Sequence, residues 1–388
     1  MSAYPFSRPL YVMLKPAGSQ CNLSCTYCYY LSKQRLYPHA QRMVMSDELL
    51  ELFVKQYLEA QTQPQVLFTW HGGEPLLRPL SFYQRALALQ RQYGRGRHID
   101  NCLQTNGTLL TDEWCTFLHD NHFLVGLSLD GPEPLHDHYR RTRGGGPSWH
   151  QVMRAVQLLQ QHDVEWNAMA TVNAFNADHP QAFYRFFKTI GCQFLQFTPV
   201  VERTADGQPA DYAVSPQQWG RFLCGVYDEW VLSDVGQVFV QTFDATLANW
   251  AGVVPGVCSL SALCGHAAVM EFNGDVYACD HYVFPDYRLG NIRQQSLTAM
   301  LYGPRQQSFA QAKHDGLPRQ CRECRYLFAC HGECPKNRFV SDCYGNPGLN
   351  YLCAGYRQFF SHVASDMDFM KGELDAGRPP SNIMTHKR

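Results

Sequence analysis

Cys21-Asn-Leu-Ser-Cys25-Thr-Tyr-Cys28 follows a short apolar run, Tyr11 to Leu14, and leaves no obvious fourth cysteine beside it. A cubane iron–sulfur cluster wants four ligands, usually thiolates, so three close cysteines leave one iron open to a small molecule. Zinc knuckles and ribbons instead present C-x2-C pairs and close four ligands. The spacing therefore points to a reactive metal centre at the end of a first strand.

From residue 10 to about 200, apolar runs alternate with longer amphipathic stretches, the signature of βαβ units around a parallel sheet. Candidate strands are Tyr11–Leu14, Val66–Trp70, Leu124–Leu129, Asn167–Val172 and Phe194–Thr198. Ser46 caps a helix running to Ala60, with Asp47 and Glu48 in its first turn, and Thr111 opens another in the same way. Chemistry in such folds gathers at the carboxyl ends of strands. His71-Gly72-Gly73-Glu74-Pro75, Gln104-Thr-Asn-Gly-Thr108 and Ser128-Leu-Asp-Gly-Pro132 all fall there. Each is also acceptable turn chemistry by itself.

The chain has 388 residues, 45% hydrophobic, with Lys+Arg 33 against Asp+Glu 34, a net charge of −1. No global basic field argues for nucleic acid or anionic lipid. Without a signal peptide or an apolar run of membrane-spanning length, the expectation is a cytoplasmic protein with no membrane association. Sixteen cysteines in so long a chain are better used for metal or redox work than as a disulfide framework. Cys102, Cys115, Cys192, Cys224 and Cys343 lack a ligand pattern and read as structural.

Beyond a loop at Thr204–Pro209 and two apparent helices holding Trp230 and Trp250, cysteines return at 258, 264, 279, 321, 324, 330, 334 and 353. Eight thiolates make two sets of four, whose pairing spacing alone leaves open. Between Cys264 and Cys279, two alternating runs flank Asn273-Gly274, which reads as a hairpin with a type I′ turn delivering Cys279 and Asp280 at its end. A pair of zinc ribbons is the plainer alternative for the C-x2-C pair.

The pattern C-x3-C-x-aromatic-C resembles the radical S-adenosylmethionine superfamily. The resemblance implies a partial (β/α)6 TIM-like barrel in the α/β class, in which Cys21, Cys25 and Cys28 hold a 4Fe-4S cluster whose open iron binds S-adenosyl-L-methionine. By the same resemblance Tyr27 lies beside the adenine, Gly72, Gly73 and Glu74 form the loop at the methionyl amino group, and Ser128, Arg140 and Val201 are further cofactor contacts. The C-terminal cysteines, with Gly274 between Cys264 and Cys279, resemble the SPASM domain. That likeness implies two auxiliary 4Fe-4S clusters, one on Cys258, Cys264, Cys279 and Cys334, the other on Cys321, Cys324, Cys330 and Cys353. The domains expected are a radical core over 1–203, a helical bridge over 204–256, and a SPASM domain with a C-terminal helix over 257–388.

FTWHGGEP, LQTNG, VGLSLDGP, the Asn-Gly hairpin ending in Cys-Asp-His, and NYLCAGY are together similar to the anaerobic sulfatase-maturating enzymes. That family oxidises an active-site cysteine or serine of a sulfatase to Cα-formylglycine. The resemblance implies Asp280 as the general base, a sulfatase polypeptide or other peptide as substrate, and a flavodoxin- or ferredoxin-type electron donor. Where many relatives read Gln-Gly-Gly-Glu-Pro-Thr, this chain has His71 and Leu76. The readings set against it are another peptide-modifying radical enzyme, forming thioether or carbon–carbon crosslinks, and a non-enzymatic iron–sulfur carrier. The carrier has no need of an open iron. A crosslinking enzyme would be favoured by a leader-binding module, and the chain begins too near its first cysteines to hold one.

Overall fold

The computed structural model describes residues 10–387 except 39, 41 and 266. Ten strands carry the architecture: β1 (Val12–Lys15), β2 (Gln65–Trp70), β3 (His98–Thr105), β4 (Phe123–Ser128), β5 (Trp166–Val172), β6 (Phe194–Pro199), β7 (Phe239–Val240), β8 (Ala268–Glu271), β9 (Asp275–Tyr277) and β10 (Arg288–Asn291). Each of β1 to β6 is followed along the chain by at least one helix, so the βα repeat read from the sequence is present. β3 is the strand that its polar residues, His98, Asp100 and Asn101, hide from an apolar-run search.

The chain divides into two compact units. The first comprises Met1–Ser128, Arg140–Trp166 and Gly265–Gln311. Within it β1, β2, β3 and β4 pair in parallel, and β8 adds to the other side of β1, also in parallel, in the register Val12 with Ala268 and Lys15 with Glu271. β8, β9 and β10 continue as an antiparallel meander. Buried Val12, Leu14, Phe68, Trp70, Leu103 and Val125 form the near-continuous apolar interior that parallel strands require. The polar Asn101 is accommodated because its amide exchanges hydrogen bonds with Gln90 (2.9 and 3.0 Å) and accepts from Trp70 Nε1 (2.9 Å). Ser46 and Thr111 cap their helices as expected, accepting from Leu49 N and Trp114 N.

The hairpin of β8 and β9 is present, but its turn is not type I′. Gly274 N donates to Glu271 O (2.9 Å), and only Gly274, at φ +91°, is left-handed; Asn273 is not. Three residues, Phe272 to Gly274, thus form a type I turn closed by a left-handed glycine, the usual solution for a three-residue loop. Asn273 serves through its side chain, accepting from Asp275 N at 3.1 Å.

The second unit comprises Leu129–Tyr139, Asn167–Cys264 and Ala312–Arg388. There β5, β6 and β7 pair in parallel. Helix Pro216–Ser233 opens with a capping box of Ser215 and Gln218 and buries Trp219, Phe222, Tyr227 and Trp230. Helix Cys353–Asp375 packs on it at Gly355, where a Cβ would stand 2.2 Å from Pro216 O. Only glycine permits that approach, and it sets the position of Cys353 two residues earlier.

Candidate active site and cluster-binding cysteines

In the first unit, the loop after β1 carries Cys21, Cys25 and Cys28, with Cys28 N bonded to Cys25 O at 3.1 Å. Leu23 N donates to Cys21 Sγ at 3.3 Å, and Asn106 Nδ2 lies 3.6 Å from the same sulfur. Burial pushes the Cys21 thiol up to about 12, and Glu74, Cys25 and Cys28 push in the same direction. Thiolates this crowded need a cationic partner, which is what the iron of a cubane supplies. The donor set of three cysteines fits a cluster with one iron open.

The HGGEP segment is bound to that loop by backbone. Gly73 N donates to Gly18 O (2.8 Å) and Glu74 N to Gln20 O (2.7 Å). A Cβ on Gly73 would sit 2.1 Å from Gln20 O, so what the glycine admits is the cysteine loop itself. Glu74 is fully buried and accepts from Leu76 N (2.9 Å), Thr105 Oγ1 (2.7 Å) and Asn106 N (2.9 Å). Its carboxylate therefore joins the HGGEP and QTNG segments. Gln104 Nε2 in turn donates to Ser128 Oγ at 3.1 Å, and the Arg140 guanidinium lies 5.7 Å from the centre of the Tyr27 ring. Cys21, Tyr27, Gly72, Gly73, Glu74, Ser128 and Arg140 thus form one connected group. Val201 lies in the second unit, buried, its carbonyl accepting from Lys336 Nζ at 3.2 Å.

Asp280, one residue beyond Cys279, lies at the centre of a buried polar network. Lys15 Nζ is 2.6 Å from Asp280 Oδ1, and the Tyr29 hydroxyl donates to Oδ2. Burial pushes the Asp280 carboxyl up, but Lys15 above all outweighs that and holds it well below the usual carboxylate range. Lys15, with no exposed surface, lies 4.1 Å from the centre of the Tyr30 ring, and the Tyr30 hydroxyl donates to Glu271. Burial raises the Glu271 carboxyl to about 7. His71 Nδ1 accepts from both Lys15 Nζ (3.1 Å) and Gly72 N (2.8 Å). Burial and Lys15 lower the imidazole to about 4, so it is neutral with its proton on Nε2. The array holds an ionised carboxylate with an N–H donor attached to the same lysine.

Lys15, Tyr29, Tyr30 and Glu271 were not legible as site residues. The one available signal was a lysine closing an otherwise apolar strand, since a charge is rarely buried unpaired.

In the second unit, Cys321, Cys324, Cys330 and Cys353 line one cavity of about 480 Å³. Cys353 bears on Cys321 and Cys324, and Cys330 on Cys353 and Cys321, as mutually destabilising thiolates. Four cysteines around one cavity fit a fully ligated cluster. Cys258, Cys264 and Cys334 form a second group, all acting on buried Lys313, whose Nζ donates to the carbonyls of Cys258 and Ser259 (both 2.8 Å). Between Cys330 and Cys334, His331, Gly332 and Glu333 are all left-handed (φ +48°, +71° and +53°). Arg338 holds this unfavourable run by donating to the carbonyls of Gly332 (2.8 Å), His331 (2.9 Å) and Lys313 (2.6 Å).

Residues 16–187 match the Radical SAM superfamily, and residues 263–325 match the Iron-sulfur cluster-binding domain called SPASM. A serine-type anaerobic sulfatase-maturating enzyme of Bacteroides thetaiotaomicron is 58% identical over 98% of this chain and 95% of its own. A cysteine-type enzyme of Clostridium perfringens is 33% identical over 92% and 96%. The solved structure of native anSMEcpe with bound AdoMet and Cp18Cys peptide superposes with a TM-score of 0.85 at 31% identity, covering 95% of this chain and all of that one. With the open three-cysteine loop, the buried aspartate and the further cysteine groups already in place, these likenesses assign the chain to the anaerobic sulfatase-maturating enzymes of the radical SAM superfamily.

Proposed function

We propose that this enzyme oxidises a serine of a sulfatase polypeptide to Cα-formylglycine, with Asp280 as the group that receives the hydroxyl proton. The observation that carries the reading is the buried Lys15–Asp280 pair, which keeps a carboxylate ionised where it cannot be solvated. Bound at Cys21, Cys25 and Cys28, the first cluster supplies the reductive cleavage of S-adenosylmethionine that begins the reaction. The substrate Cβ then loses a hydrogen atom, its Oγ a proton and its carbon framework one further electron, which leaves the aldehyde.

A carboxylate held this low is a weak base toward an ordinary alcohol. Its proton transfer therefore follows hydrogen abstraction, which acidifies the hydroxyl. Before that, Asp280 orients the substrate by accepting its hydrogen bond, while Lys15 and Tyr29 fix both carboxylate oxygens. Serine is favoured over cysteine by the 58% identity to a serine-type enzyme against 33% for a cysteine-type one. The neutral His71, an N–H donor where many relatives carry glutamine, supplies a partner to an alcohol oxygen.

The ligand sets and cofactor contacts implied by the resemblance belong to this reading, as do the core over 1–203, the bridge over 204–256 and the SPASM domain over 257–388. So do a flavodoxin- or ferredoxin-type donor and a cytoplasmic location. Among the described residues no helix is long and apolar enough to cross a membrane.

The test is anaerobic. Reconstituted protein receives dithionite, S-adenosylmethionine and either a Cys-x-Pro-x-Arg peptide or the same peptide with serine in place of cysteine. Deoxyadenosine together with a serine peptide lighter by two hydrogens is expected, faster than the cysteine peptide is converted. Deoxyadenosine without either aldehyde would reopen the substrate, and faster cysteine conversion would reverse the preference.

A further inference from the structure

Two lysines have no exposed surface among the described residues, and they are accommodated differently. Lys15 pairs with a carboxylate, Asp280, at 2.6 Å. Lys313, in the last turn of helix Pro304–Asp315, has no carboxylate within ion-pair reach among the described residues. Its Nζ donates to the carbonyls of Cys258 and Ser259, both at 2.8 Å, and no acceptor among those residues takes its third N–H. Two carbonyls satisfy hydrogen bonds but leave the charge uncompensated, and a buried ammonium without a counter-charge is costly. The acid that acts on it, buried Glu333, is held by two amides, its Oε2 accepting from Asn337 Nδ2 (3.1 Å) and Asn350 Nδ2 (2.5 Å). The remaining anionic partners are the thiols of Cys258, Cys264 and Cys334, all of which act on Lys313. Arg338 Nη1 donates to the Lys313 carbonyl (2.6 Å) while its other nitrogens hold the turn before Cys334, so one arginine fixes the lysine relative to that turn.

We propose that Lys313 is a potential-setting residue: its buried ammonium, fixed beside Cys258, Cys264 and Cys334, stabilises the reduced form of the iron–sulfur cluster that those cysteines hold. The inference rests on the reading that they hold one, and three thiols acting on a single buried cation fit a bound anionic cluster. A cubane ligated by thiolates is already anionic, and reduction adds a further negative charge, so its potential follows the charges and hydrogen bonds around it. A cation shut away from water acts on that charge with little screening. Against burial, Lys313 is the group that most favours the thiolate of Cys258 and of Cys264. The four cysteines of the other cavity have no such partner: the cations acting on Cys321 and Cys353 are Arg338 and Arg357, and neither is buried. The reaction releases one electron beyond the hydrogen atom and the proton, so an acceptor that is easier to reduce favours it.

Reconstituted holoenzyme is titrated anaerobically with redox mediators and followed by electron paramagnetic resonance, the signal of interest being the one absent from Cys264→Ala. Lys313→Met and Lys313→Gln are expected to make reduction at least about ten-fold less favourable, a fall of about 59 mV for a one-electron couple. The glutamine keeps an N–H donor and Lys313→Arg keeps the charge, so both neutral variants should shift while the arginine stays close to wild type. An unchanged potential in the two neutral variants, or an equal fall in all three, would overturn the proposal in favour of a lysine that only braces the chain. Where both neutral variants lose the iron, Lys313→Arg decides: iron retained near the wild-type potential supports the charge, and iron lost there too removes it. Iron analysis of Cys264→Ala tests the underlying reading separately, since it must lose one cluster's iron, and an unchanged content would mean that these cysteines hold none.

Discussion

Two groups of cysteines in this chain meet opposite requirements. The loop at Cys21, Cys25 and Cys28 offers three thiols and is held by backbone and side chain together: HGGEP bonds to its backbone through Gly73 N and Glu74 N, and the Asn106 side chain reaches Cys21 from the QTNG segment. The cavity in the second unit gathers four: Cys321, Cys324 and Cys330 from a ten-residue stretch carrying two short helices, and Cys353 as the first residue of a long helix. On the proposed ligand sets, three thiols leave a coordination site for chemistry, whereas the fourth thiol that Cys353 brings from farther along the chain closes the second cluster and ties the long helix to it. On that proposed reading the same element serves reaction in one place and electron passage in the other, and the number of thiols decides which.

The largest effect that would sharpen this comparison comes from removing one thiol on each side. Cys25→Ala is expected to abolish deoxyadenosine formation altogether, whereas Cys324→Ala should lose a comparable amount of iron yet still cleave S-adenosylmethionine. Retained cleavage in Cys25→Ala would break the distinction. Next in size, Asp280→Asn should cleave the cofactor but lower aldehyde formation by about 10²- to 10⁴-fold, the usual range for a removed general base. An active variant, judged by peptide mass, would exclude Asp280 from that role.

A smaller effect separates packing from ligation. Arg338 carries no ligand, yet it holds three carbonyls of the turn before Cys334 and its flanking helix. Arg338→Ala should cost about 2–4 kcal/mol, seen as a lower thermal midpoint and reduced iron retention, with wild-type affinity for S-adenosylmethionine. A midpoint unchanged from wild type would mean that the left-handed turn stands without it.

The smallest concerns Glu271. Its folded carboxyl, raised by burial to about 7, stays protonated longer than in the unfolded chain, where 4.5 is the ordinary value. Its contribution is therefore complete below about pH 4.5 and is lost as pH rises through about 7. Glu271→Gln should flatten the fall in thermal midpoint between pH 5.5 and 8.5, by the equivalent of about 1–3 kcal/mol. An identical pH profile in the two proteins would contradict the raised carboxyl.

The strands and caps were readable because the signals for them are local: a β-branched run, or Ser46 and Thr111 before acids. β3 is hidden because its buried Asn101 is satisfied by Gln90 on a helix and Trp70 on β2, partners that the local run of residues does not reveal. The turn at Asn273-Gly274 lies where the sequence places it but is not the type I′ that Asn-Gly suggests, since three loop residues and not two separate β8 from β9. Glu74 reads from its motif as a cofactor contact, while its three hydrogen bonds come from Leu76, Thr105 and Asn106.

What the sequence by itself determined is the chemistry: the number and spacing of thiols, the glycines at strand ends and the resemblance they carry depend only on residues close together along the chain. What the tertiary structure alone decided is the electrostatic state of the site. Lys15 reaches Asp280 across 265 positions because β1 and β8 pair in parallel, with Lys15 opposite Glu271 and the hairpin then returning Asp280 to the same region. The interaction energy of two charges depends on their distance and on the water excluded between them, and neither quantity is written in the order of the residues.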